Sequence, residues 1–168
     1  MDKSALTEAM KASISEVLEQ MFFMPIDFMA PAIVGADAQS DPESVIAGLG
    51  FSGSPSGTFL LLVPAALARS VSADFLGTCP QNLSRDQVAG TVLEMVNMLA
   101  GNTLSAFNHQ ALFDLQIPEL ITCNDARALS AAGLDQIAIG IRTPQSRMTY
   151  ELIIQGTGPA VHGNCDHP

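Results

Sequence analysis

Two long stretches of the chain repeat apolar residues every three or four positions, the pattern of an amphipathic helix. The first runs from about residue 4 to 23 and is followed by Pro25, and the second runs from 84 to about 107. Ser84, followed three residues later by Gln87, is the capping-box signature of a helix start. The pattern therefore predicts two long helices, one in each half of the chain.

Each predicted helix is followed by a pair of apolar stretches separated by turn residues. Residues 44–52 and 58–63 flank the sequence GSPSG, and residues 136–142 and 148–154 flank TPQS. Glycine and proline favour the backbone conformations of a tight reversal, so both pairs are predicted to be β-hairpins. A shorter helix is expected over residues 65–75, between the two halves.

The remaining segments are less regular. We expect a short strand or an irregular connection over 28–41, a strand over 112–117, a loop over 118–133 and a frayed tail from about residue 157. The order of the elements predicts an α+β fold built from two pseudo-repeated helix-plus-hairpin halves, with two long helices packed on a mainly antiparallel sheet. The length suits one domain, so we expect residues 1–168 to form a single domain.

The second long helix has two contrasting faces. At about 100° per residue, one face is expected to collect the residues that pack on the core: Val88, Val92, Met95, Val96, Leu99, Thr103, Ala106 and Phe107. Opposite them, Gly90, Glu94, Asn97 and Gly101 fall within an arc of about 60°. A glycine in a helix costs about 1 kcal/mol relative to alanine. We therefore expect the two glycines to lower the surface beside Glu94 and Asn97, so that the backbone of a partner can approach.

Charge and hydropathy exclude several classes of function. Seven basic residues against seventeen acidic ones give a net charge of -10, which repels nucleic acid and anionic membranes. The longest apolar run, 58–68, contains Pro64 and is too short to cross a bilayer. The start of the chain lacks the basic and apolar regions of a secretory signal. These features predict a cytoplasmic protein that binds neither nucleic acid nor membrane.

The cysteines and histidines do not suggest a metal site. Cys79, Cys123 and Cys165 are far apart and form no CxxC pair, which argues against a disulfide framework and a thiolate zinc site. His162 and His167 lie near Cys165, but scattered His and Cys in a tail are commoner than a metal centre. We expect no metal bound by this chain.

The segment LEMVNMLAGNTLSAF, residues 93–107, resembles the motif helix of the CheC/CheX/FliY chemotaxis phosphatase family. The family motif is ExxN followed by a glycine four residues later, and Glu94, Asn97 and Gly101 match it in order and spacing. The helix-plus-hairpin halves, with the motif in the second half alone, resemble CheX-like members. Gly90 departs from the family, in which this position is often Ser or Asp.

The resemblance implies a phosphatase that hydrolyses the aspartyl phosphate of a CheY-like response-regulator receiver. It implies that Asn97 holds the attacking water in line and that Glu94 contacts the lysine of the receiver. A neutral amide can position water without proton transfer, and acyl-phosphate hydrolysis depends chiefly on positioning and charge neutralisation. Gly90, Met98 and Gly101 are expected to lie against the bound receiver, with Met98 at the rim of the face.

No basic residue of the second long helix is close enough to neutralise a phosphoryl group, since Arg85 stands near its start. The receiver is therefore expected to supply that charge through its own lysine and its bound Mg²⁺, and this chain to need no cofactor of its own. For the same reason the protein should cleave small phosphate esters poorly.

Two other functions remain open from the sequence. One is a non-catalytic module of the same family that binds a response regulator or acts as a flagellar-switch component, and the other is an acidic helper protein with an incidental ExxN. The resemblance to CheX-like proteins also implies a homodimer. The uncharged strand IAIGI, residues 137–141, supports this expectation, because such a strand at a sheet edge would pair with another chain. The same pattern fits a central strand that is covered on both sides.

Overall fold

A computed structural model describes residues 2–30, 33–37, 42–132 and 135–155. The helices are α1 (Lys3–Ile14), which continues into a π-helical stretch (Ser15–Met21), α2 (Val34–Asp37), α3 (Ala65–Leu76), α4 (Arg85–Phe107) and α5 (Cys123–Ala132), with a single 3₁₀ turn at Pro80–Asn82. The strands are β1 (Asp27–Met29), β2 (Val45–Ser52), β3 (Ser56–Val63), β4 (Asp114–Leu115), β5 (Glu119–Leu120), β6 (Asp135–Arg142) and β7 (Arg147–Gln155).

The strands form one antiparallel sheet in the order β1-β6-β7-β3-β2, and both β4 and β5 pair with the outer side of β2. Both predicted hairpins are confirmed, as β2 with β3 and β6 with β7. The inner strands of the two hairpins, β3 and β7, pair with each other along seven residues at the centre of the sheet.

The two halves of the chain are built alike and exchange their short strands. Each half contains a long helix, short strand structure, a shorter helix and a hairpin, in that order. Strand β1 of the first half pairs with β6 of the second, while β4 and β5 of the second half pair with β2 of the first. The predicted α+β fold of two pseudo-repeated halves, with two long helices on an antiparallel sheet, is confirmed.

Alternate residues of the central strands point to opposite faces of the sheet, and each face has its own core. Helices α1, α3 and α4 cover the larger core, which includes Leu18, Phe59 and Leu99. Helices α2 and α5 contact each other on the other face. The smaller core beneath them consists of Val34, Ile46, Leu60, Leu62, Ala126 and Ile153.

The prediction of a loop over 118–133 is wrong, because this segment contains β5 and α5. Thr122 and Asp125 begin the helix: the Thr122 hydroxyl accepts a hydrogen bond from the Asp125 N–H at 3.1 Å and donates one to its carboxylate at 2.6 Å. Within α5 only Ala126 is fully buried, with Cys123 and Leu129 partly buried against the smaller core; the rest of this short helix is polar or exposed, which is why the segment resembles a loop in sequence.

The segments 28–41 and 112–117 contain short strands, in part as expected. In the segment 28–41, strand β1 agrees with the expected short strand, but the single helical turn α2 was not predicted. The short strand β4 lies inside the strand expected over 112–117. The tail expected from about residue 157 lies outside the described residues.

The expectation that residues 137–141 form an open edge is wrong for the end of the segment. Gly140 and Ile141 pair with Met29 and Phe28 of β1, on the side of β6 that faces away from β7. No described strand pairs with Asp135–Ile139 on that side. The open edge is therefore confined to the first half of β6.

A carboxyl group is buried on the α2 and α5 side of the sheet. Glu151 of β7 is fully buried, and its Oε2 accepts hydrogen bonds from the Val34 N–H at 2.9 Å and the Ser130 hydroxyl at 3.3 Å. Its Oε1 has no hydrogen-bond partner among the described residues. Burial, assisted by the nearby Asp37 carboxyl, raises the pKa of Glu151 above its ordinary value of 4.5.

We predict that Glu151 makes folding pH-dependent. Because the folded-state pKa is raised, the unfolded chain ionises first, and the free energy of unfolding should fall as the pH rises from about 4.5 through the raised pKa. Glu151→Gln removes this ionisation and should flatten that part of the pH profile. Urea unfolding at a series of pH values checks this, with Glu19→Gln, at an exposed position, as the control that should keep the wild-type slope.

Candidate functional site

Helix α4 starts where the sequence predicts. The Ser84 hydroxyl accepts a hydrogen bond from the Gln87 N–H at 3.1 Å, and the Gln87 side-chain oxygen accepts one from the Ser84 N–H at 2.9 Å. These reciprocal bonds satisfy backbone donors that have no partner within the helix. The start of the helix is therefore fixed by its own sequence.

The rotation of α4 about its axis is set by its buried stripe and two polar contacts. Val88, Val92, Met95, Val96, Leu99 and Thr103 are buried as predicted. The Ser13 hydroxyl of α1 donates to the Leu99 carbonyl at 2.8 Å, and the Thr103 and Tyr150 hydroxyls lie 3.3 Å apart. The expectation for Ala106 is wrong: it is exposed in the last turn, and Phe107 is only partly buried.

The opposite face of α4 brings together the residues that the motif singles out. Gly90 and Glu94 are exposed, while Asn97 and Gly101 are partly buried. Across the described ranges, the side chains of Glu94 and Asn97 make no hydrogen bond or ion pair with another residue. The acid and the amide are thus displayed one turn apart with their polar atoms free to bind a ligand.

The two glycines of this face are not required by the packing of the chain itself. A Cβ atom added at Gly90 would meet nothing within 4 Å, and one added at Gly101 would lie 3.9 Å from Cδ1 of Leu115, an ordinary van der Waals contact. Both residues are in regular helix, where alanine is the more stable choice. Packing within the described part of the chain therefore does not explain the low surface beside Glu94 and Asn97.

The surroundings of the pair offer little positive charge. Arg85 is nine residues before Glu94, about 13 Å along the helix axis. Met98 is half-buried and packs against the larger core, so only part of its side chain reaches the rim of the face.

In the portion of the chain that is described, no group of three or more His, Cys, Asp or Glu residues could hold a metal ion. None of the described helices is long and apolar enough to span a bilayer.

Apolar residues on one flank of α4 were not singled out in the sequence. Leu112, Leu115, Ile117 and Leu120 are all exposed, and Leu115 is the residue nearest to Gly101. The spacing of apolar residues over 112–117 predicts a strand there, but it does not tell which side chains face the core. Only the position of β4 and β5 at the outer edge of the sheet leaves them exposed beside the site.

Several solved structures share this fold. The CheX-CheY-BeF3-Mg²⁺ complex from Borrelia burgdorferi contains a chain with a TM-score of 0.69 and 19% identity, over 88% of this chain and 96% of that one. Chemotaxis protein CheX from Vibrio vulnificus gives 0.67 and 17%, over 89% and 96%. FliY from Thermotoga maritima gives 0.59 and 11%, over 91% of each chain. The fold is that of the CheX, CheC and FliY proteins.

The sequence itself matches one family profile. Residues 45–142, which include the whole of α4, match the family described as chemotaxis phosphatase CheX. No curated protein matches the chain significantly. The chain belongs to the CheX family of chemotaxis phosphatases, as the resemblance of its motif helix predicts.

We predict that Gly90→Ala stabilises the protein. The added methyl group meets no atom within 4 Å, so the intrinsic helix propensity of alanine should raise the free energy of unfolding by up to about 1 kcal/mol. Urea or thermal unfolding measures the change. An unchanged or lowered stability would contradict the view that nothing in the chain itself requires this glycine.

Proposed function

We propose that this protein hydrolyses the aspartyl phosphate of a phosphorylated CheY-like receiver and so ends a chemotaxis signal. Family membership supports phosphatase chemistry in general, and the related B. burgdorferi protein forms a complex with CheY. The observation that carries the proposal is that Glu94 and Asn97 lie one turn apart on the open face of α4, and that neither side chain makes a hydrogen bond or ion pair within the described part of the chain.

In the proposed mechanism, Asn97 positions the attacking water. Its amide oxygen accepts a hydrogen bond from the water and stays neutral, so that the lone pair of the water oxygen is held in line with the phosphorus. The P–O bond to the aspartyl carboxylate breaks as the new bond forms, which releases phosphate and restores the receiver carboxylate. Asn97 is half-buried, and this limits the number of orientations its short side chain can adopt.

Glu94 has a different role in the proposal. Its carboxylate lies one turn before Asn97 on the same face and binds the lysine of the receiver active site. The charge of the phosphoryl group is neutralised by that lysine and by Mg²⁺ held in the receiver, since this face of α4 offers no cation. The chain therefore contributes positioning and docking, and the receiver contributes the metal.

The alternative is a non-catalytic module that binds a response regulator or takes part in a flagellar switch. This alternative is considered because the chain shares its fold with T. maritima FliY. A surface used only for docking has no need of an amide that can hold water in line, and for that reason the intact Glu94 and Asn97 pair favours the phosphatase. Mixing the protein with aspartate-phosphorylated receivers and following the loss of phosphate distinguishes the two functions.

We predict that Asn97→Ala lowers the rate of receiver dephosphorylation by about 100-fold or more, because the water loses its positioning group. The matched control is Asn102→Ala, which changes the same residue type on the same helix, about 140° around the axis from Asn97. Circular dichroism verifies folding. Near-normal turnover by folded Asn97→Ala would refute the mechanism, whereas Glu94→Ala should weaken both binding and turnover.

We predict that p-nitrophenyl phosphate is hardly cleaved, with or without added Mg²⁺. The substrate brings no lysine or metal site, and the net charge of -10 opposes the approach of a phosphate dianion. Release of p-nitrophenol at a series of Mg²⁺ concentrations measures the activity. Robust, saturable cleavage would point to a catalytic centre other than Glu94 and Asn97.

We also propose that the protein is a cytoplasmic homodimer. The open edge at Asp135–Ile139 offers backbone N–H and C=O groups that β7 and β1 leave unpaired, and a second copy could pair there. We predict twice the monomer mass of 17.6 kDa in sedimentation at micromolar concentration. A clean monomer would exclude the dimer without affecting the catalytic proposal, because Glu94 and Asn97 belong to one helix of one chain.

A further inference from the structure

Residues 112–120, which we call the apolar strip, expose large hydrophobic side chains at the outer edge of the sheet. Leu112 is 93% exposed, Ile117 89%, Leu120 54% and Leu115 40%. The strip is held to β2 on both sides of Ile117, since the Gln116 N–H donates to the Gly50 carbonyl at 2.8 Å and β5 pairs with Ala47 and Gly48. The backbone on either side of Ile117 is thus hydrogen-bonded to the sheet.

The strip runs along one flank of α4. Leu115 is next to Gly101, and Leu120 lines one groove together with Val88 and Ala89 of α4. Leu115 pairs with Phe51 and Leu120 with Ala47, four residues apart on β2, so the segment between them spans about 14 Å. The segment therefore follows α4 from the Gly101 end towards the Ala89 end, with Ile117 between the two contacts.

The strip is suited to binding by apolar contact. Exposing isoleucine and leucine to water opposes stability, and contiguous exposed apolar groups beside a polar site are typical of interaction surfaces. The charged residues of the strip, Asp114 and Glu119, are both acidic, while Arg69 and Arg85 line the groove next to Leu120. Because an acidic side chain does not attract a phosphoryl group, the strip itself contributes to binding through burial of its apolar side chains.

We infer that the apolar strip is the docking surface that sets the affinity for the receiver substrate, with Ile117 at its centre. This inference rests on the proposed function and deepens it. Because Leu115 and Leu120 flank the two ends of the α4 face that displays Glu94 and Asn97, a receiver bound over Gly90 and Gly101 would extend over the strip and cover Ile117. In this inference the strip supplies most of the binding free energy, Glu94 adds its contact with the receiver lysine, and Asn97 determines the rate of hydrolysis.

The test substitutes Ile117→Ser and, separately, Leu112→Ser. The matched control is Phe23→Ser, because Phe23 is 85% exposed and lies beside the β6–β7 turn, across the sheet from the strip. Two quantities are measured for each variant: the Kd for a beryllofluoride-loaded CheY-type receiver, and the single-turnover rate at saturating phosphorylated receiver. Thermal unfolding verifies that each variant folds.

Ile117→Ser should weaken binding about ten-fold, the loss expected when one buried apolar side chain is removed from an interface. The saturating rate should stay unchanged, binding by Leu112→Ser should weaken as well, and Phe23→Ser should behave as wild type. Unchanged binding by both strip variants, equal weakening by Phe23→Ser, or a fall in the saturating rate alone would overturn the inference. So would sedimentation showing that Ile117→Ser only turns a dimer into a monomer, since the strip would then bind a second copy.

The proposed function fails in a distinguishable way. If wild-type protein hydrolyses no receiver, or if folded Asn97→Ala retains full activity, the catalytic proposal is at fault. If Asn97→Ala is inactive and the strip variants bind as wild type, only the inference about the strip is at fault.

Discussion

The rotation of α4 about its own axis is the constraint on which the site depends. A turn of one residue, about 100°, would bury Glu94 and expose the core stripe. Burial of Val92, Met95, Val96 and Leu99 between α1 and the sheet opposes any such turn, because each of these side chains gains roughly 1.5 to 3 kcal/mol by leaving water. The Ser13 contact to the Leu99 carbonyl lies two residues beyond Asn97, so the helix is held close to the candidate site. The packing of the core therefore also determines which residues of α4 face solvent.

The glycines of α4 show a conflict between stability and function. Elsewhere in the fold, glycines have structural reasons: a Cβ at Gly57 would lie 2.4 Å from the Ile153 carbonyl oxygen, and Gly77 ends α3 at φ 63°. Gly90 has neither reason. A residue that weakens its own helix without relieving any contact is best explained by something that approaches from outside, which is how functional sites come to depart from local propensity.

The sequence was sufficient for elements whose apolar period is complete. Helix α4 and the two hairpins follow from that period and from the capping box at Ser84. Helix α5 did not, because it is short, has few large apolar residues and is bounded by Pro118 and Gly133, which together favour a loop. The motif residues could be placed on one face from spacing alone. The exposure of Ile117 could not, because it depends on β2 being the last full strand at its side of the sheet, which is a property of the assembled topology.

The acidity of the chain bears on which partner neutralises the phosphoryl charge in the proposed reaction. The chain carries seventeen acidic and seven basic residues, and Arg85 is the one basic residue of α4; in the proposed mechanism the lysine and metal of the receiver therefore neutralise the phosphoryl group. Binding then requires a surface that does not depend on positive charge. In the proposed complex, the low glycine face would let the two backbones approach closely, and the apolar strip beside it would provide attraction that salt screens little. The proposal therefore predicts specificity for a whole receiver domain and not for free phosphate.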